Sequence, residues 1–167
     1  MRPLVLSLAA IVATGSVAGA TSGCGGGSMA PPDADEALAC MTAGRGDIYV
    51  AGLEHPGQSG GLDFKLISAD PAPPARNLNS WVIQINSMAS GVVGAPVTGA
   101  TMVVTPFMPD HQHGAGAFTV QIQAMPDAGQ YKLTQINTWM PGYWEITIDA
   151  TAGGVHDTVV YKFCIPA

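Results

Sequence analysis

Basic side chains are scarce in this chain, with six Lys and Arg among 167 residues against 12 Asp and Glu. Nucleic acid is excluded as a partner, because its phosphates require clustered Lys and Arg. Long apolar runs are also missing. The most apolar run, Leu4 to Val12, falls far short of the roughly 20 residues of a spanning helix. The sequence contains no Gly-x-Ser-x-Gly elbow, no His-Glu-x-x-His helix and no P-loop, so the common hydrolytic and phosphate-binding chemistries have no foothold. There is no internal repeat and no helical run long enough for a βαβ crossover. The chain reads as a non-enzyme.

What is present begins with an export segment. Met1 to Gly23 carries one basic residue, an apolar stretch and then small residues, the anatomy of a signal peptide. Thr21-Ser22-Gly23-Cys24, followed by Gly25-Gly26-Gly27-Ser28, resembles a bacterial lipoprotein cleavage box with Thr21 in place of the usual Leu. Ordinary secretion after cleavage at a nearby Ala or Gly is the alternative. Cysteine parity favours lipidation. The chain has three Cys, and an odd thiol in an exported protein is a liability unless it is used. Acylation of Cys24 leaves Cys40 and Cys164 as a disulfide pair in an oxidising compartment. As metal ligands these two fit poorly, being far in sequence from the chain's histidine-rich loop and lacking the close spacing of a thiolate site.

Removal of residues 1–23 leaves 144 residues, enough for one domain with a substantial core. Five Lys and Arg then face 12 Asp and Glu, for a net charge near −7. Residues 24–39 read as a flexible, Gly- and Pro-rich tether. At its end Ala34 to Met41 favours a short helical turn capped by Asp33 or Asp35. Residues 40–167 form the folded domain. The expected location is the bacterial envelope, with the chain held by the Cys24 lipid at the periplasmic face of the outer membrane or at the cell surface.

From there the hydrophobic period is two, which predicts an all-β fold. Strands are expected over Ile48 to Leu53, Leu62 to Ser68, Trp81 to Met88 and Ala100 to Thr105. Further strands are expected where Phe118, Val120 and Ile122 alternate with polar residues, and over Tyr131 to Ile136, Tyr143 to Ile148 and Val159 to Cys164. Leu62, Phe64 and Leu66 share one face while Asp63 and Lys65 share the other; Trp81, Ile83 and Ile85 face inward against Gln84 and Asn86. Seven to eight such strands predict an immunoglobulin-like antiparallel sandwich, with a small barrel as the alternative.

Met108-Pro109-Asp110-His111-Gln112-His113-Gly114 packs two of the four histidines and a thioether between two strands. Imidazole with thioether suits copper, since Met selects Cu(I) and His binds either oxidation state. His111 and His113, two apart, share one side of an extended segment. A second connection, Trp139-Met140-Pro141-Gly142-Tyr143-Trp144, repeats the Met-Pro pair. If the two connections meet at one end of the sandwich, Met108, His111, His113 and Met140 form a common ligand set. The sequence leaves open whether they meet. It also leaves open the plainer reading, in which Met140 and Trp139 pack at the core edge and the histidines face water. His55, His156 and Arg45-Gly46-Asp47 read as turn residues.

Taken in order, Gly99-Ala100-Thr101, Met108-Pro109-x-His111-x-His113-Gly114, Gly129-x-Tyr131 and Met140-Pro141-Gly142-x-Trp144-x-Ile146 resemble the YtkA-like domain, related to FixH-like proteins. The resemblance covers about residues 62–161. It implies an exported immunoglobulin-like domain that works beside copper-handling or oxidase-assembly functions, with Met108, His111, His113 and Met140 at the positions of the family's candidate copper ligands. Cys40 to Gly61 lies outside that pattern. Two functions follow as expectations: a lipid-anchored protein that binds copper or passes it to an accepting partner, and a metal-free envelope module that binds another protein through a sheet edge or end loop.

Overall fold

The computed structural model describes residues 32–167; the export segment, Cys24 and the first part of the tether lie outside the described residues. Among the described residues a single helix, α1 (Pro32–Thr42), precedes ten strands: β1 (Leu53–Pro56), β2 (Leu62–Asp70), β3 (Asn77–Ala89), β4 (Val92–Pro96), β5 (Thr101–Met108), β6 (His113–Gly114), β7 (Gln121–Ala124), β8 (Gln130–Thr138), β9 (Gly142–Ala152) and β10 (Val155–Ile165). They form two antiparallel sheets. One runs β1-β2-β3-β8-β7 with β4 also paired to β3; the other runs β10-β9-β5-β6. No closed barrel forms among the described residues, and the expected sandwich is the architecture found.

Alternation explains the core. Leu62, Phe64, Leu66, Trp81, Ile83, Ile85, Leu133 and Ile136 from the larger sheet meet Trp144, Ile146, Ile148, Val159, Tyr161 and Phe163 from the smaller, all buried. Each such side chain contributes roughly 1.5–3 kcal/mol by leaving water. Trp81 sets its ring edge to face against Tyr161 and Phe163 at 5.9 and 5.6 Å. The Tyr161 hydroxyl donates across the interface to the Phe64 carbonyl at 2.9 Å, so this buried phenol keeps its hydrogen bond.

Turn chemistry fixes two registers. Ala89 opposes Val92 around Ser90-Gly91, and Ala152 opposes Val155 around Gly153-Gly154. All four turn residues have positive φ, the condition for a type I′ hairpin that matches strand twist.

Several expectations are corrected. The helix begins at Pro32, so the expected tether is helical from that residue onward and Ala34 to Met41 is most of a real helix, α1. Ile48 to Leu53 is not a strand. Ile48 is exposed, and its neighbour Asp47 is strapped to β10 by Asp47 N–H to the Lys162 carbonyl and Lys162 N–H to Asp47 Oδ2. β1 starts only at Leu53 and takes His55, expected in a turn, into the sheet. β7 is an edge strand with all four residues exposed, and Phe118 and Ile122 face solvent while Val120 alone of that set is buried. The cause is position: β7 ends its sheet with β8 as its one paired neighbour, and Phe118 precedes it outside any strand. Asp63 and Asn86, read as outward, are buried and bonded to each other at 3.0 Å.

Asp157 is fully buried where β10 begins, and its carboxylate accepts from the backbone N–H groups of Ser59, Gly61, Leu62 and Thr158. Burial pushes its pKa up, but the backbone donors outweigh burial and hold it below the usual carboxylate range. Its stabilisation is therefore present above the ordinary Asp value of about 3.9 and is lost as pH falls through the lower folded-state value. Asp157→Asn is expected to cost about 1–3 kcal/mol at neutral pH. In urea unfolding its deficit against wild type should shrink below about pH 4; a deficit independent of pH would refute this assignment.

Cys40 in α1 and Cys164 in β10 form the expected disulfide across 124 residues. Replacing both by Ala is expected to lower stability by about 2–5 kcal/mol, because so long a loop restricts the unfolded chain strongly. Urea midpoints of the double variant and the wild type measure it.

Candidate metal centre

β6 folds back on the end of β5, placing His113 opposite Met108 and Gly114 opposite Phe107. Pro109 to Gln112 make the turn, with His111 N–H to the Met108 carbonyl and Gln112 N–H to the Pro109 carbonyl, both 3.3 Å. Gln112 takes a φ of 56° to close it. Directly opposed residues in an antiparallel pair share a face, so Met108 and His113 are neighbours. Met108 is fully buried in the core. His111 sits in the turn with its ring centroid 5.7 Å from that of His113.

The connection between β8 and β9 meets this hairpin. Trp139 stacks on the His113 ring at 5.0 Å and 26°, and Trp144 presents its edge at 5.8 Å. Trp144 Nε1 donates to the Met140 carbonyl at 2.9 Å, and Trp139 Nε1 to the Gly114 carbonyl at 3.4 Å. Met140 itself is partly buried against the core. Asn137, at the end of β8, adds a bond to the Ala115 carbonyl. Gly142 has φ 122°, and a Cβ there would stand 2.5 Å from the Met108 methyl. The glycine of Met-Pro-Gly therefore keeps the space that Met108 fills. Met108, His111, His113 and Met140 thus belong to one end of the sandwich.

Nitrogen bookkeeping gives the chemistry. His113 Nδ1 lies 3.1 Å from the Gly114 carbonyl, and a carbonyl only accepts, so Nδ1 carries the proton and Nε2 holds the lone pair. That Nε2 is buried without a partner. Two other buried side-chain nitrogens among the described residues share this condition, but Trp81 Nε1 has no lone pair to offer and His55 Nε2 lies 3.2 Å from Asp47 Oδ1. Among the described residues His113 Nε2 is thus the buried imidazole lone pair left without a partner. Buried polar atoms of this kind call for a missing partner.

Two residues outside the expected set complete the surroundings. Glu36, on α1, bonds His111 Nε2 through Oε2 at 2.6 Å. Arg45 makes a bidentate pair with Asp110 at 2.6 and 2.9 Å and lies 4.1 Å above the Tyr143 ring. The guanidinium holds the Asp110 carboxyl below its usual range, while burial and the bond to Glu145 push the Tyr143 phenol up to about 12. Neither contact had a local signal in sequence, since the partners are 75 and 65 residues apart.

His156 bonds Asp149 on an exposed surface and His55 packs on Tyr161; neither joins the site. No group of three or more His, Cys, Asp or Glu side chains suited to a metal occurs among the described residues. A metal at the hairpin therefore depends on thioether sulfur as well as imidazole.

A family model described as YtkA-like matches residues 57–149, more than half of the chain. The match starts before the expected residue 62 and stops before 161, so α1, Arg45 and β10 lie outside it. No curated protein and no solved structure matches the chain significantly.

Arg45→Gln removes a tether to the turn that is partly exposed. The expected loss of global stability is no more than about 1 kcal/mol, whereas amide hydrogen exchange should accelerate at residues 110–113. Unchanged exchange there would show that the pair does not order the turn.

Proposed function

The chain belongs to the YtkA-like family, and on that premise we propose that it is a copper-binding envelope protein whose ligands are Met108, His111, His113 and Met140. The observation that carries this reading is the buried, unpartnered Nε2 of His113, beside a cross-strand thioether and a second imidazole. A metal about 2 Å from each of two imidazole nitrogens is compatible with rings 5.7 Å apart. All four proposed ligands are uncharged when they bind, and thioether sulfur favours Cu(I) over harder cations. Trp139 and Trp144 on the His113 ring would exclude water from one side of the ion.

Copper in this reading is cargo, held or passed to an accepting envelope protein, and no residue is assigned a catalytic role. Attachment through a lipid on Cys24 would keep the domain at the periplasmic face of the outer membrane or at the cell surface, consistent with the lipoprotein-like box at Thr21 to Cys24. Ile122, Val92 and Val93, exposed on β7 and β4 of the larger sheet, with Phe118 exposed in the connection before β7, support the competing reading of a metal-free module that binds protein through a sheet edge.

Competition of the purified, metal-stripped protein against a chromogenic Cu(I) chelator decides between them. One copper per chain is expected, with binding abolished in the His111→Ala, His113→Ala double variant. Undiminished affinity in that variant would refute the site. No binding by the wild type would favour the metal-free module.

A further inference from the structure

We propose that Glu36, a residue outside the YtkA-like segment, is a positioning residue for the hairpin site: it fixes the tautomer of His111 so that Nδ1 is the nitrogen offered to the metal. The inference rests on the copper reading above and adds to it the donor atom and the residue that selects it.

The geometry is specific. Glu36 Oε2 stands 2.6 Å from His111 Nε2, the distance of a charge-assisted bond. An ionised carboxylate only accepts, so Nε2 must carry the hydrogen and the lone pair of the neutral ring falls on Nδ1. The Gly114 carbonyl acts on His113 in the opposite sense, taking Nδ1–H and freeing Nε2. Each imidazole thus has one nitrogen engaged by a protein acceptor and one available. Metal-binding histidines are commonly held this way, by a carboxylate or carbonyl on the other nitrogen.

The position of Glu36 is itself constrained. Glu36 and Cys40 are one helical turn apart and share a face of α1, and Cys40 is bonded to Cys164 in β10. A Cβ on Gly142 would lie 3.6 Å from both Cγ and Cδ of Glu36 and 2.5 Å from the Met108 methyl. The carboxylate therefore reaches His111 along the same spot where Met108 lines the site. Side-chain exposure of 27% for Glu36 and 35% for His111 places their bond at the rim, where solvent would otherwise let the ring change tautomer.

The test reads the tautomer directly. Histidine side-chain 15N shifts of the metal-free full chain, recorded at about pH 8 where free imidazole is neutral, should show His111 as Nε2–H and His113 as Nδ1–H. Glu36→Leu should convert His111 to a tautomer mixture, leave His113 unchanged and weaken copper about 10–100-fold. Glu36→Gln retains an acceptor oxygen and should keep the His111 tautomer and most of the affinity, which guards against misfolding of the Leu variant. A His111 ring that is Nδ1–H in the wild type, or indifferent to Glu36→Leu, overturns the inference even if copper binds. A wild type with the expected tautomers that binds no copper overturns the metal reading, and the role of Glu36 with it.

Discussion

Burial of the two sheet faces against each other is the interaction on which everything else rests. Trp81, Trp144 and Tyr161 are the largest fully buried side chains, and the bond from the Tyr161 hydroxyl to Phe64 locks one sheet to the other. Trp144 has a second duty. Its ring fills the core while its indole N–H holds the Met140 carbonyl, so packing of the interior and placement of the β8–β9 connection are one event. Met108 works in the same way from the facing hairpin. Its buried side chain belongs to the core, and its backbone opens the turn that carries His111. The floor of the candidate site is thus core, and a shift of either connection would open a cavity costing several kcal/mol.

A second layer comes from the ends of the chain. α1 has little apolar surface of its own and would be marginal as an isolated helix of 11 residues. The disulfide holds it on the smaller sheet, and the segment after it is strapped to β10 through Asp47. From that base Glu36 and Arg45 reach two adjacent polar residues of the turn, His111 and Asp110. The family segment supplies the hairpin; the flanking segments determine how it is held.

The sandwich was legible because alternation in β9 and β10 runs almost unbroken, and in β2, β3 and β8 it holds over several residues between bulges. Legibility failed at the rim. Ile122 alternates like a core residue but sits on the exposed edge strand, Phe118 falls in the connection before it, and Ile48 is apolar without being in a strand. β4 and β6 are short and went unseen, since five and two residues carry too little period to register. At the site, residue types and spacing within each connection could be read directly. Their meeting could not, because it depends on which strands share an end, and Glu36 and Arg45 come from a stretch whose sequence resembles a tether or a turn. Only the disulfide hinted at it, by tying residue 40 to residue 164.

The boundary of the family match sharpens what the fold requires. It stops at residue 149, inside β9, yet β10 pairs along the whole length of β9 and contributes Asp157, Tyr161 and Cys164. A sequence pattern can end there; the folding unit cannot, since cutting β10 would unpair one side of β9 along its whole length and remove the disulfide that holds α1. The same asymmetry shapes the hairpin. Met108 is wholly dry, His113 has one buried nitrogen, and His111 is about a third exposed beside two carboxylates, Glu36 and Asp110. A soft cation held there would be gripped from the apolar side and approached from the acidic, wet side. In the proposed reading exchange with a partner runs through His111, the one ligand whose orientation the added helix controls.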